Sequence, residues 1–382
     1  MSVCPVRVLE VVSKMDTAGT ETWLANMVKR VDRKDVAADF LVYEPQSGAY
    51  DAELIERGCR IYKIANPRRA PGFGARLCEI LRRAPRYDVI HSHVDHYGGF
   101  IALWGRLAGI QTRIVHSHNT GYADKEDSLG RSLYLAGMRC SIHLNATECL
   151  AASDDAAAWM YGSRWREDAR CRVLPCGVDL SSFGKCEDAA RVRDELRISQ
   201  GALVVGHVGR FHLQKNHSFF VKVADCVART IPNAVFVLVG GGPLQSAIQN
   251  EVRQRGLEAH FRFLGVRRDI ARLLGAMDIF MFPSLFEGLG LVLIEAQAAG
   301  LPCVISDRVP QEADVVPGLV KRLPLTIPPE GWSSVIEQIR PRFPHEREAA
   351  LKVVERSKFN ITTSADKLME LYTSAANRRN FS

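Results

Sequence analysis

The sequence has no run of about 18 uncharged apolar residues, so no stretch of it reads as a membrane span. Its opening, MSVCPVRVLEVVSKMD, carries Arg7 and Glu10 inside its short apolar part and does not read as a signal peptide. Among the 10 cysteines there is no C-x-x-C pair, the nearest two being Cys171 and Cys176. Most sit in apolar stretches where a free thiol behaves as a small hydrophobe, so structural disulfides are not expected and a cytoplasmic protein is. No G-x-G-x-x-G with a downstream acidic residue occurs, which disfavours a nicotinamide dinucleotide site.

A net charge of +7 favours an anionic partner: nucleic acid, a nucleotide or an acidic membrane surface. Basic residues are densest in NPRRAPGFGARLCEILRRAPRYD, where Arg68, Arg69, Arg76, Arg82, Arg83 and Arg86 flank a helix bearing Phe73, Leu77, Ile80 and Leu81. That pattern fits a solvated helix face or a patch touching an anionic membrane.

At 382 residues the chain suits two domains. Short β-branched runs alternate with longer amphipathic stretches, the signature of βαβ units around parallel sheets. In the first half the strands are expected at Val6–Val12, Asp39–Val42, Arg60–Ile64, Val89–Ser92, Arg113–Ser117 and Cys149–Ala152. In the second half they are expected at Leu203–Val208, Val235–Val239, Phe261–Leu264, Ile279–Phe282 and Cys303–Ser306. The Pro- and Gly-punctuated RVLPCGVDLSSFG and the charged segment after it separate the halves, giving domains 1–185 and 186–359.

Ligands of such sheets gather beyond the carboxyl ends of the strands, and five motifs fall there. KMDTAGTETWLANMV places Gly19 and Thr20 at a helix start, where free N–H groups can meet a phosphate or a sugar hydroxyl, or Thr20 simply caps the helix. In VGRFHLQKN, Arg210 and Lys215 are two cations able to stabilise a diphosphate leaving group. In VLVGGGPLQ, Gly241 and its neighbours let the backbone approach a ligand, or serve a tight turn.

FPSLFEGLGLVLIEAQAAGLP holds Glu287 and Glu295. With a helix beginning near Leu289, a rise of about 1.5 Å per residue separates them by roughly 12 Å. Paired glycosidase carboxylates need about 5 to 9.5 Å, so an elongated ligand of hexose, diphosphate and ribose fits better. RIVHSHNTGYADK ends a strand with His118, which could hydrogen-bond a sugar hydroxyl or be satisfied by loop backbone.

Together GRFHLQKN, GGGP, FLGVRRDI, PSLFEGLGLVLIEA and VHSHN resemble glycosyltransferase family 4, the retaining nucleotide-sugar transferases of GT-B fold, and HSHVDHYGGF, VHSHNT and NATECLAAS are similar to bacterial exopolysaccharide and capsule transferases. The resemblance implies two Rossmann-like domains with parallel sheets facing an interdomain cleft, and a last helix, about 360–382, rejoining the first domain. It implies transfer of a sugar, UDP-linked by expectation, to a lipid-linked or oligosaccharide acceptor in surface polysaccharide synthesis. Arg210 and Lys215 would grip the diphosphate, Glu287 the donor sugar and Glu295 the ribose. Val266 and Arg267 would border the base, Gly288, Leu289, Gly290 and Leu291 would assist the phosphates, and Gly19 and His118 would approach the reacting sugar. Neither metal nor cofactor is expected, and nucleic acid is not an expected partner. Two departures stand out: Ala18-Gly19 replaces the family's usual G-G, and Cys176 replaces the Asn of its P-N-G.

Two other readings remain open. IHSHVDHYGG spells H-x-H-x-D-H with His91, His93, Asp95 and His96, which in another context marks a zinc hydrolase. A nucleotide-sugar-binding regulator without turnover is the second. On the leading reading His93 and Asp95 face the acceptor.

Overall fold

A computed structural model describes residues 5–65, 72–83, 86–121, 128–183, 189–339 and 344–377. The chain divides into two compact units, Met1–Gly177 with Ile361–Ser382, and Val178–Asn360. The division falls a few residues before the sequence break near 185. There the Val178 amide donates to the Phe359 carbonyl at 2.7 Å, which ties 178 to the segment preceding the last helix.

The first unit is built on seven strands: β1 (Val6–Val12), β2 (Val36–Val42), β3 (Ile61–Lys63), β4 (Val89–Ser92), β5 (Thr112–Ser117), β6 (Glu148–Ala151) and β7 (Cys171–Val173). They lie in the order β3-β2-β1-β4-β5-β6-β7, and the pairings are parallel. Helices on both faces bury the central strands on both sides, which is why β1 reads as a nearly continuous apolar run. Leu9, Val11, Leu41, Ile90 and Ile101 form the centre of one core cluster. The last helix, Ile361–Asn377, is fastened to this unit: the Trp23 indole N–H donates to Ser364 Oγ at 3.0 Å, and that hydroxyl donates to the Pro175 carbonyl at 3.1 Å.

The second unit holds β8 (Val204–Val208), β9 (Val235–Val239), β10 (Phe261–Phe263), β11 (Ile279–Phe282), β12 (Cys303–Ser306) and β13 (Val320–Leu323). Their order is β10-β9-β8-β11-β12-β13, again parallel. Phe220, Phe236, Phe261, Met281 and Trp332 fill its core. In each sheet the order reverses beside the first strand, at β1/β4 and at β8/β11, and that is where open α/β sheets bind ligands.

The helix expected in the basic stretch spans Phe73–Arg83, but its apolar residues face inward: Phe73 and Leu77 are buried, and Ile80 and Leu81 pack on the same core. Arg76, Arg82 and Arg86 are exposed, whereas Arg68, Arg69 and the side chain of Arg83 lie outside the described residues. The described cysteines are free thiols.

Candidate active site

The second unit brings together the ends of β8 and β11. After β8 the chain passes Gly209 and Arg210, makes one helical turn at Leu213–Lys215, and enters the helix His217–Thr230 through Asn216, whose φ is +54°. After β11 it runs through Glu287 into the helix Leu291–Ala298. The two loops are laced together: the Leu285 amide donates to the Gln214 carbonyl at 2.8 Å, and the Gln214 side-chain amide donates to the Phe286 carbonyl at 3.0 Å. Lys215 Nζ donates to Glu287 Oε1 at 2.6 Å and sits 4.7 Å from the Phe282 ring centroid. Glu287 is 4% exposed, so the pair is a buried one. Arg210 is exposed and has no ion-pair partner among the described residues, which leaves a cation beside the loop for an anionic ligand.

Gly240 closes the neighbouring turn after β9. Its φ is +138°, and a Cβ there would stand 2.1 Å from the Gly209 carbonyl oxygen, so no other residue fits. The Phe211 amide donates to the Gly241 carbonyl at 2.9 Å, joining this turn to the one after β8. Val266 is exposed at the next loop, but Arg267 is taken up by Asp269 at 2.6 and 2.8 Å.

The helix that follows Glu287 begins at Leu291, not near Leu289. Gly290 has φ +84°, a left-handed conformation outside the helix, and serves as its N-cap with no side-chain hydrogen bond. Glu287 therefore lies in the turn before the helix, and the 1.5 Å-per-residue spacing does not apply to it. Burial pushes Glu295 up to about 7, although part of its side chain reaches solvent.

Two histidines not anticipated from the sequence lie behind Lys215. His207 Nδ1–H donates to the Met281 carbonyl at 2.9 Å, and His217 stacks on Phe211 with centroids 4.2 Å apart. Burial lowers His207 to about 4 and His217 to about 2, and the nearby Lys215 charge adds to both shifts. The available signal was His207 inside the apolar run of β8, where a buried imidazole must find a partner, and His217 at the start of the helix that follows.

In the first unit, β1, β4 and β5 converge on a buried histidine cluster. His93 Nε2 meets Glu10 Oε2 at 2.9 Å, and His93 Nδ1 meets His118 Nε2 at 2.9 Å. The Tyr372 hydroxyl, from the last helix, donates to Glu10 Oε1 at 2.8 Å and lies 2.6 Å from His91 Nδ1. His116 Nε2–H donates to the Leu174 carbonyl at 3.0 Å. Burial holds His91, His116 and His118 well below the usual histidine range, helped by neighbouring rings. His118 Nδ1 faces Cys176 Sγ at 3.6 Å, so the cysteine that departs from the family pattern touches a candidate site residue.

Gly19 opens the helix Gly19–Arg30, whose cap is Ala18 without a side-chain bond; Thr20 is not the cap.

The H-x-H-x-D-H set does not assemble. Asp95, at φ +47°, accepts from the Asn119 amide at 2.8 Å, and burial pushes it up to about 6. His96 stands edge-on to Trp159, with centroids 4.7 Å apart. His91 and His93 instead meet His116, each offering a nitrogen within 4.8 Å of the others. Three imidazoles without a carboxylate from the motif do not make the two-metal arrangement the spelling suggested.

A two-unit fold with a cation–carboxylate pair at one switch point and a histidine cluster at the other belongs to the GT-B glycosyltransferases. Residues 18–177 match the glycosyl transferase 4-like domain, and residues 188–339 match glycosyl transferases group 1; the chain belongs to this family. EpsF of Bacillus subtilis (strain 168), a glycosyltransferase by name, is 35% identical over 96% of both chains. The Escherichia coli UDP-Gal:alpha-D-GlcNAc-diphosphoundecaprenol alpha-1,3-galactosyltransferase is 29% identical over 59% of each chain. Among solved structures, Anabaena HepE in complex with UDP-glucose superposes with a TM-score of 0.77 at 20% identity, covering 96% of this chain and 99% of that one. No helix among the described residues is long and apolar enough to cross a membrane.

Proposed function

We propose that this enzyme is a retaining glycosyltransferase that moves a sugar from a UDP-sugar to a lipid-linked or oligosaccharide acceptor in surface polysaccharide synthesis. The observation that carries the reading is the Lys215–Glu287 pair at the ends of neighbouring strands, with Arg210, unpaired among the described residues, on the loop after β8. Arg210 and Lys215 bind the diphosphate and stabilise it as it leaves. Glu287, fixed by Lys215, accepts hydrogen bonds from donor-sugar hydroxyls, and Glu295 accepts them from the ribose. Gly288, Leu289, Gly290 and Leu291 bring the uncapped start of a helix to the phosphates, where N–H groups and the helix dipole favour negative charge. Gly241 and Val266 border the nucleotide; Arg267 does so through its backbone, its guanidinium being occupied by Asp269. Gly19 and His118 act on the reacting sugar, and His93 and Asp95 belong to the acceptor side.

The names of relatives support the donor and acceptor classes: HepE was solved with UDP-glucose, and the Escherichia coli relative uses UDP-Gal and a diphosphoundecaprenol acceptor. Leaving-group stabilisation by two cations needs neither metal nor cofactor, so chelation leaves turnover unchanged. A sugar-release assay across UDP-, GDP- and ADP-sugars tests the reading. Release from a UDP-sugar that falls at least about 100-fold in Glu287→Ala is expected; normal turnover by that variant contradicts the assigned role. UDP-sugar binding without transfer to any acceptor would instead support a regulator.

Contact with an anionic membrane at the inner face is proposed on charge alone, through Arg76, Arg82 and Arg86, because the apolar side of their helix is buried. Retention on vesicles containing anionic lipid at low salt, lost as salt rises, is the expected result. Absence of retention at low salt removes the idea.

A further inference from the structure

The histidine cluster of the first unit contains a connected chain of hydrogen bonds whose direction can be worked out. Glu10 interrupts the apolar run of β1 and is 3% exposed. Both of its oxygens are used: Oε1 accepts from the Tyr372 hydroxyl, and Oε2 meets His93 Nε2. Having given its proton to Glu10, Tyr372 can only accept at its 2.6 Å contact with His91 Nδ1, so His91 carries its proton there. His91 Nε2 is then bare, and it has no hydrogen-bond partner among the described residues.

A carboxylate accepts, so His93 donates from Nε2. With that single N–H on its ring, His93 Nδ1 is the acceptor at the 2.9 Å contact with His118 Nε2. His118 must donate there, and its own Nδ1 is left as a lone pair. That nitrogen faces the Cys176 thiol at 3.6 Å. Burial pushes the Cys176 thiol up, so it keeps its proton and is placed to donate weakly to Nδ1. With one proton on each ring the chain runs in one direction, from the last helix through β1 and β4 to the loop after β5.

We propose that Glu10, His93 and Tyr372 form a positioning relay that fixes His118 as the Nε2–H tautomer and presents its Nδ1 as an acceptor for a substrate hydroxyl, which displaces the Cys176 thiol. The hydroxyl is the better donor, and a sulfur contact of 3.6 Å costs little to exchange. The carboxylate–histidine–histidine order repeats the logic by which a buried acid sets the tautomer of the imidazole that meets a ligand. Its substrate class, a sugar hydroxyl, rests on the glycosyltransferase reading; the tautomer does not.

Two measurements on the full-length protein test it. In 15N-histidine NMR of the wild type, His118 Nδ1 is expected to resonate as an unprotonated nitrogen, and in Glu10→Gln the two tautomers are expected to mix. In turnover with a UDP-sugar, Glu10→Gln lowers kcat about 10- to 100-fold, while UDP binding stays within about 2-fold, because the donor loops lie in the other unit. Tyr372→Phe keeps the fold's packing and gives a smaller fall in kcat of the same kind. A protonated Nδ1 in the wild type overturns the relay, as does a folded Glu10→Gln with unchanged tautomer and unchanged kcat. If the wild type releases sugar from no donor, the glycosyltransferase reading fails, and the NMR result still decides the relay.

Discussion

Lys215→Ala lowers turnover by about 100- to 1,000-fold, the range for removing one preorganised group that stabilises transition-state charge. Two effects combine. The ammonium proposed to hold the diphosphate is lost, and Glu287, with 6% of its side chain exposed, loses the donor 2.6 Å from its Oε1. Removing one partner of a buried pair destabilises by roughly 3 kcal/mol, so the variant melts earlier as well as turning over slowly. Combining Lys215→Met with Glu287→Gln separates the effects: the neutral pair removes the uncompensated charge and recovers stability, but not activity. Stopped assays with a UDP-sugar and thermal melts of both variants check this. Turnover of Lys215→Ala within about 10-fold of the wild type contradicts the role given to the ammonium.

The first unit loses stability steeply as pH falls below 6.5. His91, His116 and His118 are held neutral by burial, and His96 is lowered to about 4, chiefly by burial with Arg139 and Arg131 adding to it. In the unfolded chain each takes up a proton near pH 6.5, so below that value the unfolded state binds more protons and stability falls. Asp95 opposes them: its folded value of about 6 exceeds the unfolded 3.8, so it contributes stability as pH falls through that window. Four histidines less one carboxyl leave about three protons taken up on unfolding near pH 5, a slope of about 4 kcal/mol per pH unit. Against a typical total of 5–15 kcal/mol, such a slope brings acid unfolding into the pH 4–5 range. Urea midpoints measured from pH 7.5 to 4.5 test it, and a midpoint constant from 7 to 5 contradicts it.

Strands buried on both faces were legible because their apolar runs are nearly continuous: β1, β4, β9, β11 and β12 lie where their residues predict them. Two edge strands were not. Cys171–Val173 and Val320–Leu323 are short, half exposed and carry Arg172, Lys321 and Arg322, so nothing local distinguishes them from loop. The helix after Glu287 was placed two residues early because periodicity does not reveal that Gly290 has a positive φ.

The site divides along a similar line. Strand-end motifs exposed Lys215, Glu287 and His118 one at a time, but the pairing of Lys215 with Glu287 spans 72 positions and belongs to the β8/β11 neighbourhood. Tyr372 lies 362 positions from Glu10, beyond any local pattern. Glu10 itself was within reach, since a lone carboxylate inside VRVLEVV must find a buried partner or leave the strand. The H-x-H-x-D-H residues part in the fold: His91 and His93 join one cluster while Asp95, at a left-handed turn, leaves it.

On the proposed reading, the donor loops activate a UDP-sugar for transfer with retention. The most direct measurement of this incubates the full-length protein with UDP-sugars of known anomeric configuration and a lipid-diphosphate-linked acceptor, then follows UDP release and the anomer of the product by NMR. One UDP released for each sugar transferred, with the donor's anomeric configuration kept, is the predicted result. A product of inverted configuration, or UDP release that leaves the acceptor unmodified, would contradict it.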